Sequence, residues 1–151
     1  MDQHHETLEE EATHVTDEAR MLLPGIQALL GFQLMAVVNQ RFVSFSAFQQ
    51  LLHLASLLCI ALAMALIMTT AAYHRQAERG RVSRRFVNLA SRLLTIALLP
   101  FAVGVCIDVY LVSMLILQSI QASVAIGAAA FVVIVGLWFG LPQIARWLAD
   151  R

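Results

Sequence analysis

The sequence predicts an all-α, polytopic membrane protein: a four-transmembrane-helix up-down bundle with a short N-terminal amphipathic helix. Three observations carry that expectation. Of 151 residues, 60% are hydrophobic and only 13% charged, against about a quarter charged in an ordinary soluble domain, and the mean hydropathy is +0.75. The apolar residues gather into four runs, about 21–39, 51–73, 93–118 and 122–141, matching the ~20 residues a helix needs to cross a ~30 Å hydrocarbon core. The charges sum to zero but are segregated: seven of ten acidic residues lie in the first eighteen positions, and six of ten basic ones lie between Arg75 and Arg92.

Residues 1–20 form an acidic amphipathic segment. Thr7 and Glu10 have capping-box spacing, Leu8, Ala12, Val15, Ala19 and Leu22 recur at helical intervals, and Glu9, Glu10, Asp17 and Glu18 supply the wet face. There is no basic stretch followed by an early apolar one, so the first span is expected to direct insertion itself. That span, 21–39, has Pro24 near its start, where a missing N–H costs little. Gln27, Gly31 and Gln33 interrupt its apolar surface and imply packing against protein. Arg41–Gln50 is a short connection whose Phe42, Phe45 and Phe48 suit a membrane boundary.

The second span, 51–73, carries His53 near its first end. Gly80 reads as a stop and Ser83 as the next N-cap. The third span is continuously apolar apart from Thr95, Asp108 and Ser113. Pro100 frees the Ile96 carbonyl and should kink it, and Pro100, Gly104 and Asp108, four apart, share one face. In the fourth span Ala125, Ala129, Gly136 and Gly140 form a narrow small-residue stripe suited to close helix packing, within the bundle or between copies. Pro142 is expected to end the span, leaving 143–151, with Arg146 and Trp147, as an interfacial cytoplasmic tail.

Arginine sets the orientation. Arg75, Arg79, Arg81, Arg84, Arg85 and Arg92 flank or fill the second connection, whereas the first holds Arg41 alone. Positive-inside bias puts the second connection in the cytoplasm. With four spans, both termini are then cytoplasmic in a multi-pass inner-membrane protein. Glu9, Glu10, Asp17 and Glu18 would share that thin layer with Arg79, Arg81, Arg84 and Arg85.

The stretch Leu22-Leu23-Pro24-Gly25-Ile26-Gln27-Ala28-Leu29-Leu30-Gly31-Phe32, then Arg41-Phe42, then Ala71-Ala72-Tyr73-His74-Arg75, resembles a family of small bacterial four-span integral membrane proteins of unknown function. The resemblance covers roughly residues 20–110. Some of that family carry an automatic sodium:proton antiporter label, so the resemblance implies ion transport without pointing to residues.

The residue that stands out is Asp108. A carboxylate inside a span is costly and is a functional-site hypothesis by default. Helical rise places Asp108 and Gln33 at one depth, each ~4 Å outward of its span's midpoint, with His53 ~9 Å further out. Asp108 must then be protonated, be solvated in a cavity, bind a cation, or meet a partner across a subunit interface. The pair is either a structural polar lock or a proton- or ion-exchanging site. Cys59 and Cys106 read as small core residues. No metal-ligand spacing, cofactor loop or nucleophile elbow occurs, which argues against an enzyme and against any cofactor. The basic stretch beside two spans reads as a topology signal rather than a nucleic-acid site. Two functions fit this pattern. One is an oligomeric small ion or proton transporter or channel, with the lipid bilayer, further copies of the chain and a small cation or proton as partners. The other is a non-transporting accessory or scaffold protein whose arginine loop and acidic helix dock a partner.

Overall fold

The computed structural model describes residues 7–78 and 82–149, with Arg41 given by its backbone alone; Arg79, Gly80 and Arg81 lie outside the described residues. Among the described residues the chain is all-helical, with no strand, and four helices are long and apolar enough to cross a membrane. This is a multi-pass membrane protein.

Helix α1 runs Leu8–Val37. Its start is the capping box: the Thr7 side chain accepts from the Glu10 amide, and Glu10 Oε2 accepts from the Thr7 amide at 2.8 Å. The acidic segment and the first span, expected as two elements, are one continuous helix with Pro24 in its interior. A single missing N–H does not stop a helix already nucleated, and in apolar surroundings every other backbone group gains by staying helical. A one-turn α2, Gln40–Val43, comes next.

Helix α3 runs Ala47–Ala77. It begins four residues before the apolar run because Ser46 and Gln49 form a second capping box. Helix α4 runs Arg84–Leu117 from the Ser83 N-cap. The Glu78 carboxylate accepts from the Ser83 amide at 2.7 Å and from its hydroxyl, tying the end of α3 to the start of α4. Gln118 closes α4 in the left-handed region, φ 52°.

Helix α5, Ile120–Val135, does not stop at Pro142. It passes through a π-helical turn, Gly136–Gly140, into α6, Leu141–Ala149. The Leu141 amide reaches back five residues to the Gly136 carbonyl. This wider turn sets Pro142 just inside a fresh helical start, where its missing N–H is cheap.

Helices α3 and α4 form the central pair, with Ile60, Ala63 and Ile67 meeting Leu94 and Ala97. Helix α1 lies along that pair and buries every seventh residue, Ala12, Ala19, Ile26 and Gln33. Gln27 and Gly31 are exposed. Helix α5 rests on α4 through Ser123 and Gly127, the two buried residues of its length. A Cβ at Gly127 would stand 3.2 Å from the Tyr110 Cβ, so glycine sets this approach. The small-residue stripe read from the sequence is not that seam. Ala125, Ala129 and Gly136 are exposed, and nothing lies within 4 Å of a Cβ built on Gly136 or Gly140. Apolar side chains elsewhere point outward, Phe32 at 74% and Ile116 at 72% exposed, as a lipid-facing surface requires.

Candidate functional site

One residue from each of α1, α3 and α4 meets toward the end of the molecule opposite the arginines. The heptad spacing of α1 delivers Gln33. The α3 stripe His53, Ser56, Ile60 delivers Ser56, and Asp108 sits one turn beyond Gly104 on α4. Gln33 Nε2 donates to Asp108 Oδ2 at 2.8 Å and lies 3.0 Å from Oδ1; it also donates to Ser56 Oγ at 2.6 Å. Ser56 Oγ lies 2.8 Å from Asp108 Oδ1 and 2.8 Å from the Gly104 carbonyl. His53 Nε2 lies 3.1 Å from the Gln33 carbonyl; a carbonyl only accepts, so this nitrogen carries the proton.

The cluster depends on a missing side chain. A Cβ on Gly104 would meet Ile60 Cγ1 at 2.6 Å and the Ser56 carbonyl at 3.2 Å. Glycine lets the two backbones close until a serine hydroxyl on one helix reaches a carbonyl on the other.

Counting protons shows what the arrangement can do. Ser56 has one hydroxyl proton and two acceptors in reach, the Gly104 carbonyl and Asp108 Oδ1. With Asp108 ionised, that proton points to Oδ1, and the Gly104 carbonyl keeps the helical bond from the Asp108 amide that α-geometry provides. With Asp108 protonated on Oδ1, the carboxyl donates to Ser56 Oγ and Ser56 turns its own proton to Gly104. Gln33 Nε2 serves Oδ2 and Ser56 in both cases. The same heavy-atom positions satisfy either protonation state, and only a hydroxyl rotates.

Beside the cluster is a cleft of about 270 Å³ lined by Gln33, His53 and Asp108 and otherwise by apolar residues, among them Phe32, Phe45 and Leu115. A neighbouring cavity of about 190 Å³ shares Ala36, Phe45, His53 and Leu115 and reaches Asn39 and Phe42 at the end of the helices. Gln33 is 4% exposed, yet its Oε1 has no hydrogen-bond partner among the described residues.

No curated protein and no solved structure is detectably similar to the chain. A model of a family of unknown function, DUF6328, matches residues 1–142. The chain belongs to that family. The match takes in all three residues of the cluster and most of the fourth helix; it carries no activity, and the sodium:proton antiporter label has no support from it.

Of the sequence-derived candidates, Gln33 and Asp108, singled out for their shared depth, are in contact. His53 is not a turn and a half beyond them: it touches the Gln33 backbone, because α3 starts earlier than the apolar run and carries Ser56 to the level of Asp108. Phe42 caps the imidazole edge-on at 5.2 Å. Arg75, Arg84, Arg85 and Arg92 are all exposed at the opposite end. There Arg84 Nη1 pairs with Glu11 at 2.6 Å. The expected acidic neighbours were Glu9, Glu10, Asp17 and Glu18; among the described residues it is Glu11 that pairs with Arg84, and the part of that expectation that falls on Arg79 and Arg81 lies outside them. Among the described residues no group of three or more metal-ligating side chains forms. Ser56, the bridge of the cluster, is not marked by any pattern in the sequence.

Proposed function

We propose that this family member is a small proton- or cation-exchanging membrane transporter, working as a homo-oligomer in a bacterial inner membrane, with Asp108 as the exchanging group. The observation that supports this reading is the bridge at Ser56: a membrane-embedded carboxylate held, among the described residues, by an amide and a hydroxyl rather than by an arginine, in a setting that suits both its charged and its neutral form. A carboxylate fixed by an arginine would be locked in one charge state; this one is free to change. On this reading the adjoining cleft and the neighbouring cavity, which share Ala36, Phe45, His53 and Leu115, would serve as the route from one end of the helices. With the arginines cytoplasmic, both termini lie inside and the cleft opens on the outer side. Oligomerisation belongs to the same reading: four helices enclose little space, and α5 rests chiefly on α4. On this reading the protein is neither an enzyme nor a cofactor carrier.

Flux into proteoliposomes tests it. Asp108→Asn keeps an acceptor for Gln33 and a donor for Ser56, so it should fold within about 1 kcal/mol of wild type and lose ion or proton flux. Asp108→Leu strands Gln33 and Ser56 and should both unfold earlier and lose flux. The competing reading is an accessory protein in which the cluster is only a polar lock between three helices. It predicts that Asn is silent in every assay and that Leu alone is damaging. The Glu11–Arg84 pair weighs against docking as the main role, because it satisfies part of the acidic and basic complementarity within the chain.

A further inference from the structure

We infer that the cleft beside Asp108 binds a small organic ammonium ion with an apolar body. This names a substrate class for the exchange site and rests on the reading that Asp108 is its working group. Three features of the cleft select that chemistry.

The first is charge. Among the described residues no arginine stands against Asp108, and the other titratable side chain lining the cleft is His53, which is committed to the Gln33 carbonyl through Nε2. The second is an orphan acceptor. Gln33 lines the same cleft, is almost wholly buried, and its Oε1 lacks a donor. A buried polar atom left unpaired is costly; Oε1 lies just behind the cleft surface, so a ligand N–H would pair with it after a small turn of the Gln33 amide. Together they supply a carboxylate at the cleft and an amide oxygen close behind it, while the donors beside them, Gln33 Nε2 and His53 Nε2, are already engaged within the protein. The third is the wall, which is carbon: Phe32, Phe45, Leu111 and Leu115 among others. A bare metal cation would exchange its hydration shell for two or three oxygens and a ring of hydrocarbon, a poor trade against the six or so oxygens such ions prefer. An ammonium needs only a few acceptors, and its apolar body gains from the wall, with the phenylalanine faces attracting the positive end. The cleft, about 270 Å³, and its neighbour, about 190 Å³, each fall below the ~300–1,000 Å³ typical of ligand sites, which restricts the body to about one ring or a short branched chain.

Equilibrium dialysis of the full-length protein in detergent micelles, with empty micelles subtracted, measures this without any transport step. The probes are benzylammonium, its quaternary analogue benzyltrimethylammonium, and neutral benzyl alcohol. The expected result is saturable benzylammonium binding, about tenfold or more tighter than the alcohol, with the quaternary ion in between because it cannot donate to Gln33 Oε1. Asp108→Asn should weaken benzylammonium by about tenfold or more. Leu115→Trp, which fills the cleft and leaves the hydrogen-bonded cluster alone, should abolish it and serves if the first variant does not fold. Equal affinity for the alcohol would make the cleft a groove for lipid tails and overturn the inference, as would undiminished binding by either variant. Binding with no flux leaves this inference standing and defeats transport; flux of protons with no ammonium binding does the reverse.

Discussion

Ser56 commands more of the site than its size suggests, because it accepts from Gln33 while choosing between two acceptors. Ser56→Ala leaves Gln33 Nε2 and Asp108 Oδ1 each short of a partner and should cost about 1–2 kcal/mol, read from unfolding in detergent. Ser56→Ala should also slow any flux through Asp108 even where the fold survives. Nothing in the sequence flags this serine. Hydroxyls in apolar helices commonly bond their own backbone four residues back, as Thr69 does with Ala65, Thr95 with Ser91 and Ser123 with Ser119. Ser56 differs only in reaching across to another helix, a property of packing rather than of local order. Asp108 and Gln33 were legible for the opposite reason: a carboxylate and an amide in long apolar runs are expensive wherever they point.

At the scale of the element, α3 and α4 cross at Gly104 so closely that there is no room for a Cβ. Gly104→Ala drives a methyl into Ile60 Cγ1, at 2.6 Å from where the Cβ must sit, and should destabilise by about 1–3 kcal/mol. Adding Ile60→Ala should recover part of that loss, since the side-chain clash goes and only the 3.2 Å contact with the Ser56 carbonyl remains; a double-mutant cycle of unfolding midpoints measures the coupling. Helix starts at Thr7 and Ser83 could be read because their caps are local chemistry. The Ser46–Gln49 box carries the same signature, but its helix opens with Ala47, Phe48, Gln49 and Gln50, which look like loop beside an apolar run. Pro142 misled: it read as the end of its span, and the helix outlasts it. Pro24, placed near the start of its span, sits deep inside α1, because apolar surroundings penalise an unpaired backbone more than a proline penalises a helix.

For the whole molecule, charge segregation declares which ends of the spans belong together, and the Glu11–Arg84 pair at 2.6 Å joins the two sets. The pair is substantially exposed, so Glu11→Gln should change global stability by about 0–1 kcal/mol. Deleting residues 1–19 should leave insertion intact and expose the start of α4 to protease, measured by limited trypsin digestion in sealed vesicles. Single cysteines at Phe45 and at Arg75 should label from opposite sides of the membrane; labelling from one side would break the antiparallel order. How the spans lean on one another could not be read in advance. The fourth span offers small residues on two faces, and it uses Ser123 and Gly127 against α4 rather than the Ala125–Ala129 stripe, because Tyr110 and the Cys106 carbonyl lie opposite Gly127.

The π-helical turn at Gly136–Gly140 has an angular effect on the C-terminal helix α6. It holds one residue more than an α-turn would, and one residue is worth about 100° of azimuth. The face of α6 that carries Gln143, Arg146 and Trp147 is thereby rotated away from the direction that α5 alone would have assigned it. The lipid-facing side of the fourth span and the polar side of its extension are thus set separately, by one surplus glycine-flanked rung. Removing a single residue from that rung should swing Arg146 about 100° around the helix axis while leaving Ser123 and Gly127 seated on α4.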